Sequence, residues 1–403
     1  MKGRLFAAWL SCAAILAAQQ VLAEGKELQA LWATDSGACA QFGREIREFA
    51  LVDGVAQQSA VVEIPKDVWL FDRMRHSLWL RESSAEWLGK TVALESPPCR
   101  LGAPEWPLRV AMLMEDAALI PSGEKLLWLE GEHTRPLASR RVHEERLGYG
   151  IADIMQCTQV VPLSLRLSKE AVLSVAWPHA MVQRCDGSGH NLEWPLDGPD
   201  HLAEFRWQVA PMAIGKEVLI ADSSRGRIVH WQNAEAGPRP DQVLLLDGGV
   251  LAVRVVGRGA ERQVLILRTR HLGLVDQLDI LKSGRLAVEL AVYSFPEGAT
   301  IARSPHSRFR GSLAITVSIN NDLRAVRPRG AVLLDPQALF IVEPDGKVLR
   351  SGKERGPAME VARVPAGENL GVLECVSLGQ LQLLPWMAAD GRGLVLALDP
   401  KKM

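Results

Sequence analysis

Val218-Leu219-Ile220-Ala221-Asp222-Ser223-Ser224-Arg225-Gly226-Arg227-Ile228-Val229-His230-Trp231 holds two short apolar runs on either side of a Ser-Ser-Arg-Gly centre. Rich in β-branched residues and split by turn formers, it reads as strand, tight turn, strand. Its first quartet belongs to a series. Leu126-Leu127-Trp128-Leu129, Val172-Leu173-Ser174-Val175, Val218-Leu219-Ile220-Ala221 and Val264-Leu265-Ile266-Leu267 each begin 46 residues after the one before. Leu78-Trp79-Leu80, Leu31-Trp32-Ala33, Leu339-Phe340-Ile341-Val342 and Leu381-Gln382-Leu383-Leu384 extend it at intervals of 48, 47, 75 and 42 residues.

A β-rich unit that recurs every forty-odd residues cannot hide its own apolar face, and stacking such units radially does. The expected fold is all-β: a β-propeller of about seven, within six to eight, four-stranded blades. Glu343-Pro344-Asp345-Gly346 and Asp390-Gly391 repeat the hairpin signal, with Gly at the positive-φ positions. A ring must close, and the usual device completes one blade from both chain ends. Trp32, Trp79, Trp128, Trp177, Trp231 and Trp386 lie near the repeated strands and are expected to fill the gaps between blades.

The 75-residue interval contains the one helical period. Leu274, Leu278 and Leu281 fall on one helical face, and Ser283-Gly284 can stop the helix. A short helical insertion at about residues 268–300 follows, whose stripe either packs on the host domain or binds a partner.

Lys2 and Arg4 precede the apolar run Leu5–Ala18, and Val21-Leu22-Ala23 places a small residue before Glu24. This pattern predicts a signal peptide over residues 1–23, leaving 24–403 as a single propeller domain in the periplasm or outside the cell. Cys12 follows Trp9-Leu10-Ser11, a poor lipid-attachment sequence. Beyond Ala23 no uncharged apolar stretch reaches the roughly 20 residues needed to cross a bilayer. The remaining 44 basic and 47 acidic residues, from 46 and 47 less Lys2 and Arg4, exclude the strongly basic balance that nucleic acid selects. Basic clusters at Arg303–Arg310 and Arg324–Arg329, each broken by apolar residues, read as solvated loops.

Cys39, Cys99, Cys157, Cys185 and Cys375 survive processing, so an oxidising compartment leaves one thiol over. Sequence proximity favours Cys39 with Cys99 and Cys157 with Cys185, with other pairings open. No Cys pair or Cys/His cluster has zinc spacing.

Val253–Leu267, a strand running through Gly257-Arg258-Gly259-Ala260-Glu261 into a second strand, resembles an FG-GAP, or VCBS, repeat of the integrin-alpha type. Met387–Leu396 has a similar run. The resemblance implies a propeller whose loops often bind calcium through several carboxylates. Here Arg258 and Arg262 stand where oxygen donors would be needed, which puts calcium in doubt, and no other cofactor is expected.

Candidates for chemistry fail on context. His143-Glu144-Glu145-Arg146 departs from HExxH, and Gly187-Ser188-Gly189-His190 lacks the strand–GxSxG–helix setting of a nucleophile. The expected function is a non-enzymatic exported scaffold that engages another envelope protein through its loop faces. The alternative is an enzyme of the quinone-dependent dehydrogenase-like or polysaccharide-active propeller type.

Overall fold

The structure, a computed structural model, describes residues 19–403 apart from 35, 69, 72–77, 82, 88, 94–116, 123–124, 131–132, 140–162, 169, 177–178, 185–187, 195–208, 210, 223–224, 270–279, 281, 321–322, 353–357 and 371–374. The chain opens with β1 (Gln19–Gly25) and then builds antiparallel sheets from consecutive strands. The first is β2 (Leu28–Ala33), β3 (Ala38–Phe42), β4 (Glu45–Val52) and β5 (Val55–Glu63). The second is β6 (Leu70–Phe71), β7 (Leu78–Leu80), β8 (Ser84–Trp87) and β9 (Lys90–Ala93). Three strands, β10 (Ala117–Ser122), β11 (Lys125–Glu130) and β12 (His133–Ser139), form the third. The fourth holds β13 (Leu163–Arg166), β14 (Ala171–Ala176), β15 (His179–Arg184) and β16 (Gly189–Asn191). The fifth holds β17 (Met212–Ile214), β18 (Glu217–Asp222), β19 (Arg227–Trp231) and β20 (Gln242–Leu245). The sixth has five: β21 (Val250–Val256), β22 (Gln263–Thr269), β23 (Arg285–Ser294), β24 (Ser307–Asn320) and β25 (Leu323–Pro328). The seventh is β26 (Ala331–Asp335), β27 (Ala338–Val342), β28 (Lys347–Ser351) and β29 (Met359–Arg363). The last joins β30 (Gly367–Asn369), β31 (Val376–Leu378), β32 (Leu381–Ala388) and β33 (Gly393–Leu398) to β1.

This is a β-propeller with almost no helix. Its described strands fall into eight sheets, inside the expected span of six to eight. The eight sequence anchors lie in eight different sheets, and those at 78, 126, 172, 218, 264 and 339 each lie in the second strand of their sheet. The period therefore measures blade to blade.

Apolar clusters span the seams between neighbouring blades, as radial stacking requires. Leu173 and Val182 of the fourth sheet pack with Ile220 and Trp231 of the fifth. Leu219 and Ile228 meet Val264 and Tyr293 of the sixth, and Leu265 and Phe309 meet Leu339 and Ile341 of the seventh. Phe340 meets Trp386 of the last sheet, whose Leu383 and Val395 meet Phe42 and Phe49 of the first. Trp231 and Trp386 are fully buried, and their indole N–H groups donate to Pro238 O (3.0 Å) and Pro365 O (2.9 Å). Trp32 and Trp79 share the seam between the first two sheets.

Closure comes from both chain ends, since β1 pairs antiparallel with β33 from Gln19 opposite Leu398 to Gly25 opposite Gly393. The hairpins form where the turn residues stand: Gly226, Gly346 and Gly391 adopt φ of +59°, +86° and +83°. Among the described residues no helix is long and apolar enough to cross a membrane.

Candidate interaction surface

Charged residues inside the propeller pair with one another, across a seam between blades and within single blades. At the seam of the fifth and sixth sheets, Arg262 Nη2 lies 2.8 Å from Glu217 Oε2. The same guanidinium donates through Nε to Phe295 O (2.8 Å) and sits 4.1 Å from the Phe295 ring centre. His230 meets that ring edge-on at 5.0 Å. Burial lowers the His230 pKa, with the Arg262 charge adding to this, against the pull of Glu217 and Asp241. Within the fifth sheet Asp222 and Arg227 pair at 2.8 Å, both fully buried.

A second network crosses three strands of the sixth sheet. Glu289 of β23 is fully buried and faces Arg268 Nη2 at 2.6 Å, Arg310 Nε at 3.0 Å and Arg308 Nη1 at 3.4 Å. Burial alone would raise the Glu289 pKa. The hydrogen bonds from Arg268 and Arg310, with the charges of Arg268 and Arg308, outweigh it and hold the carboxyl below its ordinary range. Arg308 and Arg310 belong to β24 and Arg324 and Arg327 to β25, so most of each basic cluster is strand where a solvated loop was expected, while Arg303 and Arg329 lie just outside the strands. The apolar residues that interrupt the first cluster were the strand signal: Phe309, between two half-exposed arginines, is completely buried.

Arg258 and Glu261 of the Gly257–Glu261 loop are exposed, and Gly259–Glu261 forms a short 3-10 turn. Among the described residues no group of three His, Cys, Asp or Glu side chains is placed to hold a metal. Cys39 is a buried free thiol, pushed up to about 12 by burial and then by the Glu48 charge, and Cys375 Sγ donates to Val332 O at 3.3 Å. Cys99, Cys157 and Cys185 lie outside the described residues, as do Leu274, Leu278 and Leu281. At the end of that segment Ile280 is buried against the sixth and seventh sheets, and Gly284 leaves the helix at φ +61°.

What sequence reasoning missed is where apolar side chains come to the surface. Of eight exposed large hydrophobic residues among those described, five are Val21 on β1 and Leu51, Val52, Val55 and Val61 on the β4–β5 hairpin. At the point of closure β1 and β5 approach within 8 Å, Cα to Cα; Leu51 and Val52, successive on β4, face opposite sides of the sheet, and Val61 lies six residues beyond Val55. Single exposed apolar residues are normal on any surface, and these five stand out only in lying on two neighbouring elements. The alternation in Val55-Ala56-Gln57-Gln58-Ser59-Ala60-Val61 gives a face but not its neighbours, so the sequence signal was incomplete.

No protein-family model and no curated protein sequence matches the chain. Solved propellers resemble it over nearly the whole length. The WD40 domain of SCAP from fission yeast has a TM-score of 0.46 at 9% identity, covering 94% of this chain and 97% of that one. BamB from Moraxella catarrhalis has a TM-score of 0.43 at 12% identity, covering 94% and 100%. The computationally designed Ika8 protein has a TM-score of 0.42 at 10% identity, covering 94% and 98%.

Proposed function

We infer that this chain is an exported, non-enzymatic scaffold that binds another envelope protein. The observation that carries the reading is that Val21, Leu51, Val52, Val55 and Val61, five of the eight exposed large apolar residues among those described, lie on the two elements that meet at the point of closure. Function on a propeller is grafted on its surface rather than dictated by its fold. Support for a structural role of the interior comes from its acids, Asp222, Glu217 and Glu289, each held by an arginine instead of standing ready for proton transfer. Support for export comes from the basic start, apolar run and Val21-Leu22-Ala23 pattern. We assign the blades to the FG-GAP/VCBS type on the strand–glycine loop–strand run of Val253–Leu267 and its echo at Met387–Leu396.

Site-specific photo-crosslinking in the source cells tests the reading. A crosslinking side chain at Leu51, Val55 or Val61 is expected to trap one envelope protein, while the same group at Met359, exposed on the seventh sheet, traps none. Equal trapping from all positions, or none from any, would refute it.

A further inference from the structure

Residues 19–23 carry two incompatible assignments: they complete a strand of the propeller, and they end a cleavable leader. We propose that export resolves this by removing the strand, and that the vacated edge of β33 is the docking site for an extended segment of the partner that carries a small apolar residue. The inference rests on the export reading above. Hydrolysis of the Ala23–Glu24 peptide bond by water, at the signal peptidase, leaves a carboxylate on Ala23 and an amine on Glu24.

The consequences can be read from the β1–β33 ladder. Gln19, Gln20, Val21 and Ala23 lie opposite Leu398, Ala397, Leu396 and Val395, so cleavage strips the partners from four consecutive residues of β33. Glu24 and Gly25 stay opposite Leu394 and Gly393, because the remaining end is pinned. Glu24 Oε2 lies 2.7 Å from Arg392 Nη1, and Arg47 Nη1 donates to Glu24 O at 2.8 Å. Cleavage also withdraws Ala23, only 7% exposed, and half-buried Leu22 from the cluster that holds Leu28, Leu383, Val395 and Ala397. What is left is a strand edge with unpaired N–H and C=O groups beside an opened apolar pocket and next to the exposed valines of β5. Such an edge accepts a strand from another chain, with backbone bonds giving affinity and alternate side chains giving selection.

The leader's own strand shows what fits. The occupant runs antiparallel to β33; its side chains at the positions of Gln20 and Val21 face solvent, and a small apolar residue takes the place of Ala23. A charged side chain there would be buried without a partner.

The test uses the protein exported from cells that express the full chain. N-terminal sequencing and intact mass are expected to place its start at Glu24. A fluorescent peptide with the sequence of residues 17–23 is then expected to bind this form, and not a form made to begin at Gln19, which keeps β1. The same peptide with Ala23→Arg is expected to bind about tenfold or more weakly. A processed start at or before Gln19, equal binding to both forms, or an exported protein that fills the edge by dimerising would each overturn the proposal while leaving the scaffold reading intact. An unprocessed chain would overturn the export reading together with it.

Discussion

Replacing Glu289 with glutamine removes one charge from the sixth sheet while preserving shape, and its cost follows from what the carboxylate neutralises. Arg268 has only 5% of its side chain exposed, so the substitution leaves its charge buried beside a neutral amide. Arg308 and Arg310 are 49% and 42% exposed, and water compensates them, so their share is discounted. Breaking a buried pair by removing one partner costs about 3–5 kcal/mol. With an unfolding entropy of roughly 2.1 cal/mol/K per residue, a chain of this length has about 0.8 kcal/mol/K in total, so Tm should fall by about 4–6 °C. Scanning calorimetry of E289Q measures this directly. The double variant R268M/E289Q removes both charges and should recover most of the loss. A fall below about 1 °C in E289Q, or no recovery in the double variant, would show that the three-arginine arrangement is not what the sixth sheet depends on.

Three further outcomes are expected. His230 is buried neutral with a depressed pKa, so the unfolded chain binds its proton first; stability should fall as pH drops below about 6.5, and H230F, which keeps a ring against Phe295, should flatten that slope in pH-dependent denaturant titrations. Gly346 has φ +86°, and a Cβ there would lie 2.2 Å from Val364 O, so G346A should lower Tm by several degrees, whereas G352A, at an open position, should change it by about 1 °C or less. Cys39, with its thiol raised to about 12 and its side chain buried, should resist iodoacetamide at pH 8 in the folded protein and react fully in guanidinium; rapid labelling of the native chain at Cys39, located by peptide mass, would contradict the packing around it.

The repeat was legible because blade stacking imposes a periodic demand: β18 is buried on both sides and β22 nearly so, and Val218–Ala221 and Val264–Leu267 accordingly read as continuous apolar runs. Turn positions were legible for the same local reason, since positive φ at Gly226 and Gly346 demands glycine. The arginines of β24 misled because a cluster of charge reads as solvated unless its apolar interruptions are given the period of a strand. Ion pairs such as Glu289 with Arg268, 21 residues apart, and the approach of β1 to β5 depend on distant segments being brought together. Such juxtapositions leave no mark in local composition. β1 itself was hidden, since leader and strand both ask for apolar residues in extended backbone.

Arg254, on the first strand of the sixth sheet, donates to Leu334 O of the seventh at 3.4 Å and to Ser377 Oγ of the last. One side chain thus ties together three blades, two of which are not neighbours. Force applied to the sixth blade would be shared among the three, and a partner pulling on it would meet linked blades rather than a set of hinged petals.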